Sequence, residues 1–185
     1  MKPGATDANM VILVDAGDAP LGVAPKLDAH RRGLKHRAIS VLVRNAMGQM
    51  LLQRRAAGKY HSAGLWTNAC CSHPRPGENA SDTARRRLGE EMGVDCPLEP
   101  LFVTSYRAQV SNDLVEDEVV HVFGGAYDGP IAPDASEVSE WKWMSLPDLA
   151  ADQLAHPERY TAWFLHYVQA HRRVIADWLQ RPVRP

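Results

Sequence analysis

Glu116-Asp-Glu118 lies within an apolar run, and in a strand residues i and i+2 project from the same face. Two carboxylates brought together between valines repel each other unless a cation lies between them. An isolated pair of this kind reads more simply as a solvated edge; what changes the weighing is the supply of imidazoles elsewhere. His30, His36 and His73 each sit next to a turn, where a side chain can point inward. Neutral imidazole nitrogens with carboxylate oxygens form a ligand set suited to Mn, Fe or Zn. The remaining histidines, His61, His121, His156, His166 and His171, read as surface or hydrogen-bonded residues. Two adjacent thiols precede His73 in Asn68-Ala-Cys-Cys-Ser-His73-Pro. By residue type alone, either Cys70 or Cys71 is open as the reactive one.

A second chemistry is carried by a charged helix. Arg86 and Glu90, and Arg87 and Glu91, stand at i,i+4 spacing, worth a few tenths of a kcal/mol per pair as a solvated face. Glu90 and Glu91 are neighbours on that helix and cannot share a face, so they have separate partners. A hard cation such as Mg²⁺ bound to a diphosphate takes few protein carboxylates and keeps its substrate oxygens. The basic cluster His30-Arg-Arg-Gly-Leu-Lys-His36, running from a loop into a strand, completes the set of candidate regions.

These side chains need a scaffold, and the apolar pattern outlines one. Met10–Asp15 reads as a first strand ending in a Gly/Asp/Pro turn. His36–Arg44 and Met50–Arg54 flank Asn45-Ala-Met-Gly-Gln, a loop suited to a hairpin. Leu101–Val110 and Val115–Phe123 flank the polar turn Ser111-Asn112-Asp113, and Trp141–Met144 reads as a short strand. Asn79 with Asp82 makes a helix start and Gly93 a helix stop. A second helix is expected from Pro157 to Gln180, with Tyr160, Trp163, Phe164 and Tyr167 on one face. Strands interleaved with helices predict a layered α+β domain spanning the 185 residues, with about nine N-terminal and ten C-terminal residues loose.

Composition narrows the class. With 45% hydrophobic and 23% charged residues the chain is ordinary for a globular protein, and a formal net charge of -1 gives no pull toward nucleic acid or an anionic membrane. No apolar run approaches the ~20 residues of a membrane span. The start MKPGATDANM lacks signal-peptide character, so cytoplasm is the expected compartment. Three cysteines make no disulfide framework; two buried thiols and one with another role is the simplest reading.

Spacing then separates these readings. Ser72-x5-Glu78-x7-Arg86-Arg-Leu88-x-Glu90-Glu91-x-Gly93-Val94 resembles the Nudix box, G-x5-E-x7-R-E-U-x-E-E-x-G-U, departing from it at Ser72 and Arg87. H-x-A-x-S at His36–Ser40, W-T-N-x-x-C-x-H-P at Trp66–Pro74, S-Y-R-A at Ser105–Ala108 and E-x-E-V at Glu116–Val119 together resemble the type I isopentenyl diphosphate isomerases of that superfamily. The correspondence runs in order from about Met10 to Tyr167. It implies an α/β/α sandwich: a Nudix-like mixed sheet with flanking helices.

The resemblance also implies roles. A divalent metal, Mn²⁺ or Zn²⁺, would be held by His30, His36, His73, Glu116 and Glu118. Cys71 and Glu118 would be catalytic, with Tyr106 in support; register against His73 selects Cys71 over Cys70. Mg²⁺ on the substrate diphosphate would be held through Glu91 and the backbone carbonyl of Cys71. Lys26, Arg55, Lys59 and Arg87 would grip the diphosphate, and Trp163 would face the isoprenoid tail. The implied partner is a small isoprenoid diphosphate. Two other classes remain in view: a Nudix hydrolase, which gives Cys71 no role, and a non-enzymatic metal-binding module, which needs no diphosphate grip.

Overall fold

A computed structural model describes residues 9–182 of the chain. Its centre is the strand His36–Arg44, whose residues are almost all buried. Such a run has no polar face to turn to water, so it must be covered on both sides. In chain order the strands are β1 (Met10–Val14), β2 (Pro20–Pro25), β3 (His36–Arg44), β4 (Met50–Arg55), β5 (Trp66–Asn68), β6 (Cys70–Ser72), β7 (Leu98–Gln109), β8 (Val115–Ala126) and β9 (Val138–Met144). The helices are α1 (Lys26–Arg32), α2 (Ala80–Met92), α3 (Leu146–Ala155), α4 (Ala162–Ala170) and α5 (Arg172–Leu179).

β3 runs parallel to β8 from His36↔Glu118 to Arg44↔Ala126, and β8 pairs antiparallel with β7 across the expected turn. On its other side β3 takes β6 antiparallel, setting Ser40 opposite Cys71. β4 lies between β5 and β9. The expected hairpin between β3 and β4 survives only at its turn, where Arg44↔Met50 is the one register pair. β3 instead spends its ladder on β8 and β6, which cover its length.

Strand alternation sorts the core into two layers. Ala38, Leu42, Val120 and Val122 pack with Trp163, Phe164, Tyr167 and Trp178 of α4 and α5. Ile39, Val41 and Val43 pack with Leu88 and Met92 of α2. This is the sandwich implied by the sequence. α2 also starts and stops as expected: Asn79 Oδ1 accepts from the Asp82 backbone N–H at 2.8 Å, and Gly93 closes it at φ 66°. A Cβ at Gly93 would stand 2.6 Å from the Ala132 carbonyl oxygen, so glycine is required there twice over. Asn79→Ala is expected to lower stability by about 1 kcal/mol, read from a denaturation midpoint at unchanged slope.

Three expectations need correction. The segment before Gly33 is a short helix, α1, not a loop. The long helix over Pro157–Gln180 is instead a 3-10 turn at Pro157–Arg159, then α4, then α5. Tyr160 is drawn into a bridge with Trp66, and the Thr161 N–H donates to the Trp66 carbonyl, which stops a helix from entering through them. At the C-terminal end Trp178 is only 1% exposed within α5, so looseness does not extend that far; residues 1–8 and 183–185 lie outside the described range. Among the described residues no helix is long and apolar enough to cross a membrane.

Candidate active site

The parallel register puts His36 beside Glu118 at one end of the sheet, and three further residues converge there. His30 comes from α1, His73 from just beyond β6, and Glu116 from β8, two residues before Glu118. His36 Nε2 stands 3.2 Å from His73 Nε2 and 3.3 Å from Glu118 Oε1, and His73 Nε2 is 2.9 Å from the same oxygen. The other ring nitrogens are turned away: Nδ1 of His30 faces the Lys26 carbonyl at 2.7 Å, and Nδ1 of His36 the Leu34 carbonyl at 2.7 Å. Those carbonyl contacts fix the orientation of both rings, so that Nε2 of each points to the centre. One candidate ligand group is His30, His36, His73 and Glu118, and a second is His30, His61 and Glu116.

Burial decides the charge state of these groups. Loss of water, aided by the neighbouring His36, lowers the His30 pKa to about 4. Burial likewise lowers His73 to about 3, against the pull of its hydrogen bond to Glu118. Desolvation, and then the charge of Glu118, raises Glu116 to about 8. Burial pushes Glu118 upward too, but hydrogen bonds from His36 and His73 outweigh it and hold that carboxyl well below its usual range. Tyr106 Oη lies 2.6 Å from Glu116 Oε2 and 2.8 Å from Glu118 Oε2, and its one proton can serve only one of them at a time. Imidazoles and crowded carboxylates brought together in this way form a donor set that could hold a divalent metal. The carboxylate pair read from the E-x-E spacing is therefore buried and paired, not a solvated edge.

Alternation also separates the thiols. Cys70 is fully buried in the α2-side core, whereas Cys71 packs against the α4-side core and lines the cavity with His73, Tyr106, Glu118 and Trp163. Cys71 Sγ lies 2.8 Å from Ser40 Oγ and donates to Asn68 Oδ1 at 3.2 Å. Asn68 Nδ2 donates to Ser40 Oγ, which leaves the Ser40 hydroxyl proton for the sulfur. Burial pushes the Cys71 thiol up to about 12, with the Ser40 hydrogen bond working the other way. Cys96 is buried as well, and all three cysteines are free.

At the same cavity lie the four expected cations, Lys26, Arg55, Lys59 and Arg87. Burial first, then Lys59, Arg55 and Arg87, lowers Lys26 to about 8. Lys59 is also lowered, by burial before any charge. Arg87 donates to Glu91 at 2.6 Å and reaches Glu137 at 3.3 Å, and Glu137 also pairs with Lys59. Glu91, on α2, is 4% exposed and further held by Gln53 Nε2 at 3.0 Å. The Nε atoms of Arg55 and Arg87 are buried with no partner, which leaves donors for an anion. Arg55 also stacks over the Trp163 ring at 5.3 Å, and Trp163 Nε1 donates to Thr67 Oγ1 at 2.8 Å. One face of this expected aromatic is thus taken by Arg55, while its ring still lines the cavity.

Some residues of the site escaped the sequence reading. His61, read as a surface or hydrogen-bonded residue, is 4% exposed, with Nε2 3.3 Å from Glu116 Oε1. Tyr60 lies beside His30, its hydroxyl 3.4 Å from Nε2. Glu137 sits between two of the cations. The one signal for His61 and Tyr60 was their place directly after Lys59.

Residues 34–164 match the NUDIX domain family. The isopentenyl-diphosphate Delta-isomerase of Burkholderia multivorans is 47% identical over 172 residues, covering 92% of this chain and 98% of that protein. The isopentenyl-diphosphate Delta-isomerase 2 of Aromatoleum aromaticum is 51% identical over 155 residues, covering 84% of this chain and 82% of that one. Among solved structures, DR0079 from Deinococcus radiodurans aligns with a TM-score of 0.72 at 18% identity, over 87% of this chain and 98% of that one. The MutT protein from Methanosarcina mazei Go1 aligns with a TM-score of 0.63 at 20% identity, over 75% and 94%. At such identities the structures speak for the fold alone, while the sequence relatives place the chain more finely. The chain belongs to the type I isopentenyl-diphosphate Delta-isomerases of the Nudix superfamily.

Proposed function

We propose that this protein interconverts isopentenyl and dimethylallyl diphosphate, with Glu118 and Tyr106 handling a proton on one side of the alkene and Cys71 on the other. The observation that carries this reading is one cavity lined by a carboxylate–phenol pair, a thiol, an indole and four cations. An unactivated alkene is a very weak base, so protonating it builds a tertiary carbocation-like state. That state needs a strong local acid, little competing water and an electron-rich neighbour. Tyr106, bridging two carboxylates, can relay a proton to the alkene. The Trp163 face can stabilise the positive charge.

Cys71 then takes the proton lost from the neighbouring carbon, as a thiolate. In the bare pocket burial holds it as the thiol, so the thiolate requires the cationic surroundings of the loaded site. Lys26, Arg55, Lys59 and Arg87 fix the diphosphate and so hold the alkene between acid and base. When bound, Mn²⁺ or Zn²⁺ at His30, His36, His73, Glu116 and Glu118 would sharpen the acidity of the carboxyl–phenol pair, and Mg²⁺ with Glu91 and the Cys71 carbonyl would neutralise diphosphate charge. The free, unpaired thiols accord with work in the cytoplasm.

Arg87 stands where the Nudix box carries a carboxylate, and this favours gripping a diphosphate over activating water at it. Arg87→Glu is expected to raise KM for isopentenyl diphosphate about ten- to a hundredfold, the size of a lost charge-assisted hydrogen bond. An unchanged KM would sink this role. The reading as a whole is tested by incubating the protein with isopentenyl diphosphate, Mg²⁺ and Mn²⁺. Dimethylallyl diphosphate is the expected product. Released phosphate would instead mark a hydrolase, and no turnover a binding module.

A further inference from the structure

A chain of buried polar side chains joins the Trp163 indole to the Cys71 sulfur. Ser40, Thr67, Asn68 and Thr161 are each at most 1% exposed. Trp163 Nε1, a donor only, gives its hydrogen to Thr67 Oγ1 at 2.8 Å, and the Thr161 hydroxyl gives a second at 3.0 Å. Thr67 Oγ1 therefore spends its own proton on Asn68 Oδ1, 3.0 Å away. Asn68 Nδ2 faces the Val41 and Cys70 carbonyls, both at 2.9 Å, which fixes which end of the amide is nitrogen. Oδ1, which cannot donate, thus accepts the Cys71 S–H at 3.2 Å. Nδ2 also reaches Ser40 Oγ at 3.2 Å, so the Ser40 hydroxyl proton turns to the sulfur at 2.8 Å.

We propose that Thr67, Asn68 and Ser40 are positioning residues that lock the Cys71 sulfur relative to the Trp163 ring, with its hydrogen turned onto Asn68 and one lone pair left for the cavity. The inference rests on the reading of Cys71 and Trp163 as groups that meet the alkene. Asn68 engages the sulfur's hydrogen and Ser40 one lone pair. The second lone pair has no partner among the described residues, and Cys71 lines the cavity. Replacing paired buried polar groups by apolar ones of the same shape costs a fold little, so core stability does not call for this network. What it supplies is a fixed separation of sulfur and indole, which a reaction using both at neighbouring carbons requires.

The test pairs the infrared S–H stretching band of the substrate-free protein with steady-state kinetics. Subtracting the spectrum of Cys71→Ala isolates the Cys71 band from those of Cys70 and Cys96. It is expected at the lowered frequency of a hydrogen-bonded thiol. Thr67→Val should lower kcat about ten- to a hundredfold at near-unchanged KM, the size of a small misplacement with the diphosphate grip intact, and Thr67→Ser should restore it. No Cys71 band, or one at the frequency of a free thiol, would overturn the proposal whatever the Thr67 variants do. So would an unchanged kcat in Thr67→Val, a loss that KM shares, or one that serine does not repair. A wild-type protein that makes no dimethylallyl diphosphate would overturn the reading beneath the proposal, a failure distinct from a missing band.

Discussion

Cys71→Ala should remove isomerisation, with a loss of at least about 10²–10⁴-fold in kcat, the usual contribution of a positioned proton-transfer group. Cys70→Ala should keep most of the activity. The contrast follows from strand geometry: neighbours on β6 point to opposite faces, so one thiol enters the α2-side core and the other the cavity. Cys70 has no route to substrate, and truncating it removes one buried sulfur, at a cost of roughly 1 kcal/mol of stability. Alanine at 71 also leaves Ser40 and Asn68 without their sulfur partner, but both already bond one another. A folding defect should therefore be small, and the loss should appear in kcat at near-normal KM. Full activity in Cys71→Ala would refute the assignment.

Glu118→Gln should be as damaging, and for a reason that metal content alone does not explain. The amide keeps the shape and can still accept from Tyr106, which lies 2.8 Å away. It cannot supply a proton for Tyr106 to relay to the alkene, and it removes the carboxylate whose pKa His36 and His73 hold low. Activity per bound metal ion, with metal measured on the same sample, is expected to fall about 10²–10⁴-fold. Activity that simply tracks bound metal would mean that Glu118 is a ligand and nothing more.

How much of this was legible beforehand depended on the range of the interactions involved. The ends of α2 were readable because Asn79, Asp82 and Gly93 are a local code within a few residues of one another. The shared face of Glu116 and Glu118 followed from the two-residue period of a strand, and the layered α+β class from the alternation of elements. Their burial did not follow from that period, since it comes from β7, α1 and the segment around His61 packing over them. α1 is seven residues long, begins after Pro25 and has no side-chain cap, too short for a periodic pattern to speak. The break between α4 and α5 falls at His171, with neither proline nor glycine to announce it.

His61 was the largest omission. Its neighbours in sequence look like a loop, and its burial is set by Glu116, His30 and Trp163, all distant along the chain. The motif resemblance supplied what local physics lacked for Lys26, Arg55, Lys59 and Arg87. Those side chains come from α1, β4, the following loop and α2, and only the assembled sheet end brings them to one cavity.

The central claim is that two different groups on opposite sides of the alkene handle the two protons. Turnover of isopentenyl diphosphate in D₂O, followed by NMR under single-turnover conditions, tests it most directly. The account predicts one solvent deuteron in the newly formed methyl group of dimethylallyl diphosphate, with the diphosphate intact. A methyl without deuterium, its third hydrogen being the one lost from the allylic carbon, would mean that one group carries that hydrogen across, and would contradict the account.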